Sequence, residues 1–301
     1  MIAAWDWHHP RTTPEEERHL AALTAELGFD TLVIGNPSSV LVDACHDQGV
    51  RVCAVVSPVP SSEFLEAHPD GVQRMLEAEE AAAAALRGLP PGYNADAGRW
   101  FPLFQPSQLI CYRHPAALEH IRSKIGSVLD RADGVALDGF GFRNHHRCFC
   151  PRCAEAAGGD PVAYSRETLI SCSQALYRCA KEHSVDAIVM NHVWPPFRPE
   201  PGYSAELQLD YCSETVSWFY PPVWSLDRVE LELRSRSRTD RRNEFVPFIG
   251  LFWEDRCRRS AERVEAEFEL ARRYAPQHLV FSTLSGVLGD ESIRQAVAEQ
   301  L

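Results

Sequence analysis

TLVIGNPSSVLVDACHDQGVRVCAVVSPV, residues 31–59, holds the decision about the fold. TLVIGN (31–36) and RVCAVVSPV (51–59) are apolar runs rich in β-branched residues and bounded by Gly and Pro, so both read as strands. Residues 38–48 between them suit a helix, which Gly49 closes. Continuous apolar runs rather than polar-apolar alternation suit parallel strands covered on both faces, and strand-helix-strand with short connections is the unit that builds such a sheet.

The unit repeats in both directions. Upstream, IAAWDW (2–7) reads as a strand, and Thr13-Pro14-Glu15-Glu16 supplies an N-cap, a first-turn proline and a capping-box glutamate for a helix ending near Gly28. Downstream, an Ala- and Glu-rich stretch predicts a long helix over 61–87, and a Pro/Gly/Asn-rich excursion runs to about 110. A helix over 115–131 then leads into the strand GVALDGF (134–140). The alternation resumes with a helix over 161–183, DAIVMNHVW (186–194), LDYCSETVSWF (209–219), a helix over 224–237 and FVPFIGLFWE (245–254). It closes with a helix over 259–275, HLVFSTLS (278–285) and a helix over 290–301. Eight strands, each followed by a helix or a helix-bearing insertion, predict an α/β protein: one (β/α)8 barrel domain over 1–301 with a loop insertion after the third strand. Neither GxGxxG nor GxxxxGK[ST] follows a strand, which argues against a nucleotide-binding open sheet.

Composition narrows the function. The formal net charge is −12 and the arginines are interspersed with acids, so no basic stripe awaits a nucleic acid. No segment approaches the roughly 20 apolar residues of a membrane helix, and MIAAWDWHHP lacks a basic region followed by an apolar run, so a cytoplasmic protein is expected. The exposed helix ring of a barrel leaves homo-oligomers possible.

Barrel chemistry collects at the C-terminal strand ends, and here those ends are polar and aromatic. They bring Trp5, Asp6, Trp7, His8 and His9 on the first strand, Asn36 on the second, Asp138 on the fourth, and Asn191, His192 and Trp194 on the fifth. The sixth brings Glu214, Trp218 and Tyr220, the seventh Trp253, Glu254 and Asp255, and the eighth Ser282 and Thr283. Aromatic faces stack on the C–H side of a sugar while carboxylates, amides and imidazoles bind its hydroxyls, and glycoside cleavage needs two carboxyl groups. Asp138, Glu254 and Glu214 are the candidate catalytic carboxyls. Trp5, Asp6, His8, Asn36, Asn191, His192, Trp218, Tyr220 and Trp253 are the candidate substrate-binding residues.

Of the ten cysteines, Cys148, Cys150 and Cys153 form a C-x-C-x-x-C cluster just after the fourth strand. Three thiols leave a tetrahedral zinc one ligand short. Cys111, ahead of the helix that feeds this strand, is the favoured fourth, with His145 or His146 as substitutes. Such a closed all-cysteine site is structural and would pin the loop beside the active-site rim.

A cysteine before His-Pro and a helix, a strand ending in LDG, then C-x-C-x-x-C, resembles the barrel domain of glycoside hydrolase family 42 β-galactosidases. It is equally similar to a loosely characterised group of "hypothetical glycosyl hydrolase" barrels. The first resemblance implies a structural zinc on Cys111, Cys148, Cys150 and Cys153. Family 42 carries an Asn-Glu pair at the end of the fourth strand, where this chain has Asp138-Gly139. An aspartate there is similar to the nucleophile position of retaining α-galactosidase and α-fucosidase barrels.

The expected function is hydrolysis of a small glycoside or oligosaccharide, with Asp138 as nucleophile or transition-state stabiliser and Glu254 or Glu214 as acid/base. The alternatives are an isomerase or lyase using acid/base chemistry on a sugar or polar metabolite, and a non-catalytic carbohydrate-binding barrel. Two carboxyls facing one another favour hydrolysis; one carboxylate beside a histidine favours proton transfer.

Overall fold

The computed structural model describes residues 1–6, 13–74, 92–94, 99–101, 109–141, 147–193, 203–217, 224–250 and 259–301. The chain forms β1 (Ile2–Asp6), β2 (Thr31–Ile34) and β3 (Arg51–Val56), then a separate antiparallel ribbon of β4 (Gly92–Asn94) and β5 (Arg99–Phe101). There follow β6 (Gly134–Asp138), β7 (Ile188–Val193), β8 (Tyr211–Ser217), β9 (Glu244–Gly250) and β10 (Leu279–Ser282). Apart from the ribbon these strands are parallel, and β1 pairs with both β2 and β10, which closes them into an eight-stranded barrel. The protein is a (β/α)8 barrel. Among the described residues no helix is long and apolar enough to cross a membrane.

Local chemistry starts the helices. Thr13 caps the helix Pro14–Glu26 through a complete capping box: its hydroxyl accepts from the Glu16 N–H at 3.2 Å and its own N–H donates to the Glu16 carboxylate at 3.0 Å. Ser38, Ser61, Ser225, Ser260 and Asp290 cap five further helices with a side-chain oxygen that accepts from a first-turn N–H. The long helix expected over 61–87 is corrected: the helix is Ser62–Ala67 and it stops before His68-Pro69, because a proline excludes the helical conformation at the residue ahead of it. Residues 75–87 of that expectation lie outside the described residues. Two short helices were not read from the sequence, Pro151–Ala157 within the cysteine segment and Leu284–Leu288 after β10.

Every residue of β2, β6 and β7 is buried, as the continuous apolar runs require, because one strand face looks into the barrel and the other onto the helix ring. At the N-terminal rim, three aspartates just ahead of β2, β6 and β8 repeat one staple. Asp30, Asp133 and Asp210 accept from the backbone N–H groups of Ile2, Val52 and Val189 at 3.0, 2.7 and 2.8 Å. Each clips the start of the preceding barrel strand, which leaves the opposite rim for chemistry.

Candidate functional site

Asp138 is the last residue of β6 and is buried, and Gly139 turns the chain away at once with φ +69°, a conformation that favours glycine. The register partner of Asp138 on β7 is His192, so both side chains leave their strands on the same face. His192 Nδ1 lies 3.9 Å from Asp138 Oδ1, and its Nε2 lies 2.9 Å from Thr215 Oγ1 on β8. The imidazole stacks on Phe248 of β9, with ring centroids 3.7 Å apart and planes 14° apart, and Trp5 of β1 packs 5.5 Å from it. Burial pushes the His192 pKa well below its ordinary value, so the ring is neutral near pH 7. A buried carboxylate, a neutral imidazole and two aromatic walls thus meet inside the C-terminal half of the barrel. The Asp138 oxygen and the imidazole nitrogen are groups at which a proton can be moved.

The other sequence candidates fall elsewhere. Glu214 is 1% exposed, and its register places it beside Val193, one residue out of phase with His192. It faces the helix layer, where Arg236 and Arg241 form ion pairs with it, Arg241 at 2.7 Å, and the Ser204 hydroxyl donates at 2.9 Å. Burial works to raise its pKa, but the two guanidinium groups and the serine outweigh burial and hold the carboxyl below the ordinary range. A general acid needs the opposite shift. Asp6 follows Trp5 and so alternates to the other face, where its carboxylate accepts from the Ser285 N–H at 2.7 Å at the start of a short helix. Asn191 is fully buried between its register neighbours Leu137 and Cys212, on the face opposite His192. Asn36 is exposed just past β2 with φ +45°. Of the named candidates, Trp5, Asp138 and His192 are brought together. His8, Trp218, Tyr220, Trp253 and Glu254 lie outside the described residues, as do Trp7, His9, His145, His146, Trp194 and Asp255.

Thr215 and Phe248 were missed by sequence reasoning. Both sit inside runs that read simply as strand, and only the register of β7, β8 and β9 sets them against His192. β8 also carries a register shift between Thr215 and Ser217, a device that re-aims side chains at barrel rims.

The loop after β6 leads to the second cluster. Cys111, Cys148, Cys150 and Cys153 are buried with all four sulfur atoms within 4.8 Å of one another. Cys111 Sγ lies 3.7 Å from Cys150 Sγ and 3.5 Å from Cys153 Sγ, too far for a disulfide of about 2.05 Å. A metal with bonds of about 2.3 Å to four tetrahedral sulfurs sets them roughly 3.8 Å apart, so the geometry fits a tetrathiolate site that can hold a metal. Backbone N–H groups of Arg74 and Cys150 donate to Cys148 Sγ at 3.3 and 3.5 Å. Hydrogen bonds from Cys148 and Cys153 hold the Cys111 thiol low, while contact with Cys111 pushes Cys148 and Cys153 up.

The cluster is tied to the site through two side chains. Tyr112, next to Cys111, accepts from the Gly141 N–H at 3.1 Å and packs on Phe140 with centroids 5.3 Å apart. Gln73 reaches the carbonyls of Ile110 and Gly141 from the facing loop at 3.1 and 3.3 Å. The segment that begins at Asp138 is therefore fastened to the thiolate cluster within three residues of the carboxylate.

No family model matches the chain, and no curated protein matches it. Solved structures do. The chain is similar to the glycoside hydrolase domain of PgaB (BpsB) from Bordetella bronchiseptica, at TM-score 0.69 and 10% identity over 98% of this chain and 97% of that one. It is similar to a β-galactosidase from the Antarctic haloarchaeon Halorubrum lacusprofundi, at TM-score 0.67 and 12% identity over 99% of this chain. An α-L-fucosidase isoenzyme 2 from Paenibacillus thiaminolyticus matches at TM-score 0.62 and 12% identity over 100% of this chain. This chain spans 57% of that β-galactosidase and 49% of that fucosidase. At these identities the likeness is one of fold, and the resemblance to family 42 goes no further than a shared barrel.

Proposed function

We propose that the protein is a glycoside hydrolase-like enzyme acting on a small glycoside or oligosaccharide, with Asp138 as the catalytic carboxylate. One observation carries the reading: a carboxylate at the end of the fourth barrel strand is buried beside His192, whose ring is packed by Phe248 and Trp5. The barrel's likeness to glycosidase structures supports it. Glu254, just past the end of β9, is the proposed partner carboxyl; Glu214 is not, because it faces away and is held ionised by arginines. Trp5 and His192 are the proposed substrate contacts among the described residues.

The four cysteines are proposed to hold a structural zinc. When bound, zinc would neutralise thiolate charge and fix the loop without offering an open coordination position. Tyr112 and Gln73 then transmit that rigidity to the segment following Asp138.

One observation favours a second reading, proton-transfer chemistry on a sugar or polar metabolite: among the described residues, the group facing Asp138 is a neutral histidine rather than a second carboxylate. Metal content of the purified protein, measured alongside release from a panel of α- and β-linked aryl glycosides, separates the readings. Stoichiometric zinc with hydrolysis of one linkage supports both proposals. Zinc without hydrolysis of any glycoside moves the function to proton transfer, and absence of zinc removes the clamp.

A further inference from the structure

His192 can exist as two neutral tautomers, and its surroundings distinguish them. The Nδ1–H form presents a proton toward Asp138 Oδ1, 3.9 Å away, and leaves the Nε2 lone pair for Thr215. With Asp138 ionised, as a catalytic carboxylate requires, the Nε2–H form directs the Nδ1 lone pair at a carboxylate, two negative ends facing in a buried site where such contacts are poorly screened. Thr215 Oγ1 is 2.9 Å from Nε2 and Thr215 is 1% exposed, so its hydroxyl is not competing with bulk water. A hydroxyl serves as donor or acceptor as its neighbour demands, and here the electrostatics at Nδ1 set the demand.

We propose that Thr215 is a positioning residue: its hydroxyl donates to Nε2 of the Nδ1–H tautomer of His192 and holds that ring with Nδ1 toward Asp138. The imidazole then offers Asp138, or a ligand hydroxyl seated against both groups, a hydrogen-bond donor. Phe248 fixes the ring plane by stacking and the Thr215 hydroxyl fixes where Nε2 points within that plane, while the carboxylate at Nδ1 settles which nitrogen carries the proton. The role rests on the reading of Asp138 as the functional carboxylate, whereas the tautomer itself needs only that Asp138 is ionised.

The test is nitrogen NMR of the full chain labelled at histidine, with the His192 signals assigned by their loss in His192→Gln. The wild-type protein is expected to show a protonated, pyrrole-like Nδ1 and an unprotonated, pyridine-like Nε2. Thr215→Val, nearly the same shape without the hydroxyl, should shift Nε2 toward an unbonded ring nitrogen, and Thr215→Ser should return it. A pyrrole-like Nε2 in the wild type overturns the proposal, and that spectrum decides even where the valine variant folds poorly. An Nε2 signal unmoved by Thr215→Val in a folded variant also overturns it. Loss of glycoside turnover in Asp138→Asn tests the underlying reading separately, so the two can fail independently.

Discussion

Glu214 follows Ser213, the register partner of His192, and that single residue of offset places Glu214 on the helix side of β8 while His192 faces the barrel interior. Side chains alternate along a strand, so neighbours in sequence serve different layers. Near this strand end, one face supports the barrel wall and the other forms the site.

Glu214→Gln is expected to destabilise the fold rather than alter chemistry. It removes the carboxylate that Arg236 and Arg241 share, while Arg236 keeps its pair with Glu232 at 2.6 Å, so the cost is expected at or below the about 3–5 kcal/mol of breaking a buried pair. Urea unfolding of variant and wild type measures it; a midpoint shift worth under about 1 kcal/mol would show that Glu232 alone compensates the buried guanidinium charge.

Asp138→Asn is expected to lower glycoside turnover by about 10²–10⁴-fold, the scale of a positioned proton-transfer or nucleophilic group, with circular dichroism and metal content unchanged. Retained turnover with the fold intact would remove Asp138 from the mechanism.

Acid should weaken the fold in two steps, both by the same sign. The folded pKa values of His192 and Glu214 lie below their unfolded values, so each contributes stability above its unfolded pKa that is lost as pH falls toward the folded one. The histidine window opens below about pH 6.5 and the glutamate window below about pH 4.3. Unfolding free energies from pH 8 to pH 3 check this. In a folded His192→Gln variant, the loss between about pH 6.5 and pH 5 should be smaller.

Asp210→Ala tests the N-terminal rim. It removes the acceptor of the Val189 N–H at 2.8 Å and of the Lys181 ammonium at 2.9 Å, contacts that together should cost roughly 1.5–3 kcal/mol. Thermal unfolding gives the loss, and activity should be unchanged at temperatures where the variant is folded.

Gly134→Ala should be poorly tolerated. A Cβ at this position would lie 2.4 Å from the Ile188 carbonyl oxygen and 2.6 Å from its Cβ, and backbone cannot yield as a flexible side chain does. Overpacking of this kind costs about 1–3 kcal/mol, read from the denaturation midpoint.

The sequence by itself determined the barrel. Apolar runs such as GVALD and IVMNHV, punctuated by Ser and Thr helix caps, specify strand and helix locally, and eight such units have few ways to bury both strand faces. It also marked Cys148, Cys150 and Cys153 by their spacing and, from a fixed ligand count, favoured Cys111 over His145 or His146 as the fourth; the structure brings the Cys111 sulfur to the other three. Tertiary structure alone decided which polar strand-end residues share a layer. Asp6, Asn191 and Glu214 read from the sequence like Asp138 and His192, yet an offset of one residue turned them toward the helices. Register between strands distant in sequence is set by the closed hydrogen-bonded ring rather than by any single strand. For the same reason Thr215 and Phe248, unmarked in their own segments, become the partners of His192.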